Sequence, residues 1–168
     1  MTENTYKKIE VFFRTHVASY LLLRIVYKYL PIMVYILYPV LLINTVIYMI
    51  KGGSPDDFIK TLVIPAVTFL SVSILRKLIN KPRPYEALNI NPLIKKDTKG
   101  KSFPSRHAAS IFTIAMASFT LHPFIAYFLL FVGVVMIASR VLAGVHYISD
   151  VIAGALYAII LALIGLFI

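Results

Sequence analysis

Apolar residues run through this chain in long uncharged blocks, not in the alternating or striped patterns of a soluble core. Leu30 to Ile50 gives 21 residues without Asp, Glu, Lys or Arg, enough at ~1.5 Å of helical rise per residue to cross a hydrocarbon layer of ~30 Å. Further blocks run from Leu62 to Leu75, from Ala108 to Ser139 and from Val151 to Ile168. The third is broken by LHPF at Leu121 to Phe124, where Pro123, lacking a backbone N–H, marks a tight hairpin. The pattern predicts an all-α polytopic membrane bundle with five spanning helices, over 30–50, 58–80, 105–121, 124–142 and 147–168.

The first 29 residues break this pattern. Arg14, His16, Arg24 and Lys28 leave only Val17 to Leu23 free of charge, too short to span alone. Two readings stand side by side: an amphipathic helix lying in the interface, or a sixth span whose long basic side chains snorkel to the headgroups. A cleaved signal peptide is not expected, because Arg24 interrupts the apolar part and no small-residue cleavage site follows. No repeat divides the chain, so residues 1–168 are read as one domain.

Composition sharpens the picture. Of 168 residues 60% are hydrophobic and none is cysteine, and the mean hydropathy is +0.84, which excludes a water-soluble globule, disulfides and thiol chemistry. Against seven acids stand 17 Lys and Arg, a formal charge of +10. An anionic lipid or other polyanion is the natural partner; nucleic acid is not, given so little soluble surface.

The charges are unevenly placed. Span 58–80 ends in RKLINKPRPYE, 105–121 begins with FPSRHAAS, 124–142 ends in ASRVLAG, and 147–168 begins with VHYISD. Up-and-down alternation puts all four on one face, where they build a composite site for an anionic ligand. His146 and Asp150, four apart at a helix start, share one helical face. Asp150 can hold one imidazole nitrogen of His146 and leave the other free as a nucleophile. His107 follows a capping Ser105 at another helix start, where free amides and the helix dipole attract an oxyanion, and in its protonated form it is suited to protonating a leaving oxygen. Arg76, Arg83, Arg106 and Arg140 supply guanidinium forks that match phosphoryl oxygens. A His-x3-Asp pair also suits a metal, but among the seven acids only Asp150 falls at this site, so no metal is expected. Arg14 and Arg24 read as snorkelling residues, His16 and His122 as structural, and Tyr27, Tyr29, Tyr35 and Tyr48 as an interfacial belt.

RKLINKPRP, PSRH and SRVLAGVHYISD, in that order, resemble the three signature motifs of the type-2 phosphatidic acid phosphatase superfamily, whose membrane branch dephosphorylates lipids and whose soluble branch includes vanadium haloperoxidases. The third motif fits throughout: Ser139, Arg140, five residues, His146, three residues, Asp150. The second fits as Pro104, Ser105, Arg106 and His107, with Arg106 where many members have glycine. The first has Arg76 where lysine is usual, followed by Arg83. The resemblance implies a metal-independent phosphatase without cofactor: His146 attacks phosphorus, Asp150 orients it, His107 protonates the departing oxygen, and water hydrolyses the phosphohistidine. Arg76, Arg83, Ser105, Arg106 and Arg140 then bind the phosphoryl group.

The substrate expected by this analogy is a membrane lipid bearing a phosphate or pyrophosphate headgroup, undecaprenyl pyrophosphate first, with phosphatidylglycerol phosphate, phosphatidic acid and lipid A phosphates as alternatives. A non-enzymatic anion or lipid-headgroup binder, or a transporter, is the rival from another class. The loop 85–104 carries Lys95, Lys96, Lys99 and Lys101 and reads equally as a segment that covers the pocket or meets a pyrophosphate headgroup, or as a mobile solvated one. Counted by its bases, the motif face is cytoplasmic; because part of that charge serves ligand binding, an outward-facing site in the cell membrane is the expectation.

Overall fold

The computed structural model describes residues 2–168, and among the described residues all regular structure is helical. The helices are α1 (Glu3–Thr15), α2 (Val17–Ile50), α3 (Pro55–Ile79), the single turn α4 (Pro84–Ala87), α5 (Arg106–Ala117), α6 (Pro123–Leu142) and α7 (Ile148–Phe167). Four segments are long and apolar enough to cross a bilayer: α2, α3 with the turn that follows it, α6 and α7. Their outer faces carry Ile36, Ile43, Leu70, Phe131 and Ile160, all exposed, as a surface solvated by lipid tails requires.

The expected fifth span, 105–121, is shorter than its apolar run suggests. α5 has 12 residues, about 18 Å at 1.5 Å each, and ends in a 3-10 turn over Ser118–Thr120. Instead of facing lipid it is the central post of the bundle. Ala108, Ala109, Ile111, Phe112, Ile114, Ala115 and Ala117 are all buried, packed by α3, α6 and α7. The first turn of this enclosed helix, at Arg106 and His107, is where the site lies. Thr68 of α3 and Thr113 of α5 meet at 3.2 Å in the core, each supplying the hydroxyl partner that lipid cannot.

The N-terminal region divides at His16 and not near residue 29. Thr2 caps α1 through the Thr5 amide, and Lys7 pairs with Glu3 at 2.5 Å and Arg14 with Glu10 at 2.9 Å along one exposed side. Residues 17–29 belong to α2, which continues without a break through Pro31 and Pro39 for 34 residues. The hairpin at Pro123 is present as expected, with Pro123 opening α6.

α7 packs on α5 through small residues. Gly154, Ala158 and Ala162, four apart, are buried beneath Asp150 on one stripe, which lets the backbones approach closely. A Cβ on Gly154 would fall 2.5 Å from the Ser105 carbonyl oxygen and 3.1 Å from Ala108 Cβ. Gly154→Ala should therefore force the start of α5 off α7 at a cost of about 1–3 kcal/mol, lowering the thermal midpoint in detergent and the activity together. An unchanged midpoint would refute this account of the contact.

Candidate active site

Asp150 is the fixed point of the site. Its carboxylate is wholly buried and sits in the first turn of α7, where it accepts the Tyr147 amide at 3.1 Å, closing the helix start in the manner of a capping box. Lys81, just past the left-handed end of α3 at Asn80, donates to its other oxygen at 2.8 Å. Ser102 donates to Asp150 Oδ2. The Asp150 carbonyl accepts the Ser105 amide at 2.8 Å, so α5 and α7 start from one junction.

His146 stands on this base in the loop between α6 and α7. Its Nδ1 lies 3.5 Å from Asp150 Oδ2 and 3.4 Å from Ser102 Oγ. Since Ser102 gives its proton to Asp150, both oxygens offer lone pairs to Nδ1, which favours the tautomer protonated there and leaves Nε2 bare. The ring is 2% exposed. Burial, reinforced by the charges of Arg83 and Arg76 and opposed by Asp150, brings its pKa down to about 4, so the imidazole is neutral near pH 7. Tyr6 of α1 donates to the His146 carbonyl at 3.1 Å. Burial pushes the Tyr6 phenol up, so this donor keeps its proton.

A cavity of about 490 Å³ opens in front of His146. Arg76, Arg83, Arg106, His107 and His146 all line it, together with Lys96, Lys99 and Lys101 from the loop 85–104. Five of the eight residues expected at the site are thus brought to one wall from α3, the α3–α4 link, α5 and the α6–α7 loop. Arg76 is held by the Pro104 carbonyl at 2.8 Å, and Arg83 by the carbonyls of Gly100 at 3.1 Å and Val145 at 3.3 Å. The remaining three stand behind that wall. Asp150 orients His146. Ser105 is buried and caps α5 through the Ala108 amide. Arg140 stacks on Tyr27, 3.7 Å from the ring centroid, donates to the Tyr27 carbonyl at 3.2 Å, and has a buried Nε with no partner. A smaller recess, also lined by His107 and Arg106, is walled by Pro31, Val34, Tyr35 and Phe69, an apolar flank next to the cavity.

The loop 85–104 is pinned. Glu86 accepts the amides of Arg83 at 2.8 Å and Gly100 at 2.9 Å, Tyr85 donates to the Thr98 carbonyl, and Tyr20 of α2 donates to the Leu93 carbonyl at 3.3 Å. This folding delivers Lys96 to the cavity. Burial, and then the charges of Arg83, Arg140, Arg76 and Arg106, brings its pKa down to about 8. Lys81, Ser102 and Tyr6 carry no role in the sequence expectations, and Lys96 appears there only as one of four lysines of the loop. Lys81 lies inside the first motif and Ser102 two residues before the second, and had that position as a signal; Tyr6 had none, because a distant segment brings it in, and only the folded loop singles out Lys96.

A family model described as the PAP2 superfamily matches residues 58–167. The bacitracin transport permease protein BcrC of Bacillus licheniformis is 33% identical over 102 residues, which make up 58% of this chain and 50% of that protein; the chain spans about half the length of this curated relative. The crystal structure of Aquifex aeolicus LpxE is similar with a TM-score of 0.69 and 28% identity, covering 88% of this chain and 87% of that one. The crystal structure of the first transmembrane PAP2-type phosphatidylglycerolphosphate phosphatase from Bacillus subtilis gives 0.60 and 18%, covering 97% and 91%, a likeness of fold.

The neutral, buried His146 has a consequence for stability. With its folded pKa near 4 and the ordinary value at 6.5, the unfolded chain takes up the proton first. The stabilisation is present above pH 6.5 and is lost as pH falls toward 4. The thermal midpoint in detergent should decline over that window, and His146→Gln should decline less steeply; parallel slopes would refute a neutral His146.

Proposed function

The chain belongs to the PAP2 superfamily, and from that premise we propose that it is an integral-membrane lipid phosphatase acting through a phosphohistidine without a metal. The observation that carries this reading is the pair of imidazoles, His146 and His107, on one cavity wall with Arg76, Arg83 and Arg106, His146 alone being backed by a carboxylate. The three guanidiniums bind the phosphoryl oxygens and match the charge of a five-coordinate phosphorus. His146 Nε2 attacks phosphorus as the bond to the leaving oxygen breaks, and the imidazolium that forms is stabilised through Nδ1 by Asp150 and Ser102. Lys81 and the Tyr147 amide keep that carboxylate ionised and aimed. The electron pair of the broken bond stays on the leaving oxygen, which takes a proton from His107. Water then attacks the phosphohistidine with His107 as base, releasing inorganic phosphate and restoring His146. Ser105 fixes the helix start that carries Arg106 and His107, and Arg140 adds positive potential from behind the wall.

The substrate is a lipid whose phosphate enters the cavity while its tails stay in the bilayer, along the apolar flank beside His107. Undecaprenyl pyrophosphate is the preferred lipid, with phosphatidylglycerol phosphate, phosphatidic acid and lipid A phosphates as alternatives. A transporter or headgroup clamp accords with the name of the Bacillus licheniformis relative, a transport permease protein, and uses the arginines, but leaves the buried His146–Asp150 unit without a task. In the cell membrane the site is placed on the outer face.

Two experiments test this reading. His146→Ala should abolish phosphate release from lipid phosphates in detergent with a chelator present, while the purified protein keeps its thermal midpoint. Full turnover by that variant would overturn the nucleophile, and a requirement of the wild type for added Mg²⁺ would restore a metal mechanism. For sidedness, Thr98→Cys in this cysteine-free chain should react with an impermeant thiol reagent in intact cells; labelling only after permeabilisation would place the site inside.

A further inference from the structure

Arg76, Arg83, Arg106, Lys96, Lys99 and Lys101 line one cavity together with both imidazoles. Arg83 and Arg76 are saturated on one side by backbone carbonyls and Arg140 is stacked on Tyr27. Lys96, Lys99 and Lys101 make no side-chain hydrogen bond or ion pair among the described residues, and of these three Lys96 alone is half-buried, beside the lining guanidiniums of Arg76, Arg83 and Arg106. Asp150 is engaged by Lys81, Ser102 and Tyr147 and Glu86 by the Arg83 and Gly100 amides, while Asp97, next to Lys96 in the chain, is exposed and makes no ion pair with it. Like charges gathered in one cavity repel, and an anion bound there offsets that repulsion.

Cleavage chemistry gives this placement a meaning. When a phosphomonoester is cleaved, the departing oxygen becomes that of an alcohol, and the proton from His107 completes it. When a diphosphate is cleaved, the departing oxygen belongs to a second phosphate, whose last proton has a pKa of about 6. That group leaves with its negative charge and is stabilised by a fixed cation. Resting on the phosphatase reading, we propose that Lys96 forms a leaving-phosphate subsite in the cavity it shares with His107 and His146 and that it selects lipid diphosphates over lipid monophosphates. The step balances: His146 Nε2 bonds to the terminal phosphorus, the bond from that phosphorus to the bridging oxygen breaks, and its electron pair goes to the bridging oxygen. The lipid monophosphate formed is held against the Lys96 ammonium until it departs. The low proton affinity of Lys96 before substrate binds fits an ammonium that awaits an anionic partner.

The test compares C15 isoprenyl diphosphate with C15 isoprenyl monophosphate in the same detergent micelles. Lys96→Gln should lower kcat/KM for the diphosphate more than for the monophosphate, shrinking their ratio by roughly 10- to 100-fold, the worth of one charge-assisted contact. Lys96→Arg should restore most of it. An unchanged ratio, including equal losses on both substrates, overturns the subsite while leaving the phosphatase reading intact. If the wild type turns over only the diphosphate, the readout is inhibition by inorganic pyrophosphate against inorganic phosphate: Lys96→Gln should weaken the first by a similar factor more than the second, and equal weakening overturns the proposal. Release of phosphate from neither lipid by the wild type would end the phosphatase reading itself.

Discussion

A buried carboxylate at the start of α7 ties this molecule together. Asp150 is met by Lys81 from the end of α3, Ser102 from the segment before α5, the Tyr147 amide of its own helix and the imidazole of His146. A lone carboxylate in such a place costs several kcal/mol, so the partners must all arrive for any of them to be buried. The demand is geometric as well as electrostatic. It brings three stretches separated by up to 69 positions to one point and leaves His146 with only one nitrogen free. A residue that orients a reacting group is here also the residue that closes the fold.

The second constraint comes from the solvent. Helices bathed in lipid gain nothing by burying ordinary apolar side chains against each other, and packing relies on close backbone approach and on satisfied polar groups. α7 meets α5 through Gly154, Ala158 and Ala162, and α3 meets it through the Thr68–Thr113 pair. Such contacts suit a short central helix enclosed by longer ones. α5 begins at the cavity, so Arg106 and His107 in its first turn line it together with Arg76, Arg83 and His146.

The loop 85–104 completes the cavity, and α1 braces the nucleophile's loop from outside it. Glu86 clamps both ends of the loop, and Tyr6 reaches from α1 to the His146 carbonyl. The basic loop thereby becomes a wall of the cavity. The Lys96 ammonium owes its place to these anchors and not to any pattern in its own neighbourhood.

Uncharged run lengths determined that the chain spans a membrane, since ~20 apolar residues have no other stable arrangement, and motif spacing placed His146, Asp150, His107 and the arginines on one face, because helix periodicity and up-and-down connection leave little freedom. The same sequence could not show that 105–121 is a short enclosed helix, for apolar lipid-facing and apolar buried residues read alike. Nor could it show the division at His16, where charge within residues 17–29 masks a helix that runs on into 30–50. The orientation of individual cations was decided only by tertiary contacts: Arg140 turned onto Tyr27, Arg76 and Arg83 held by carbonyls, Lys81 paired with Asp150, Lys96 left without a partner. A guanidinium or ammonium on a long flexible stem reaches several ångströms in any direction, and only the neighbours that the fold supplies select which of those directions it takes.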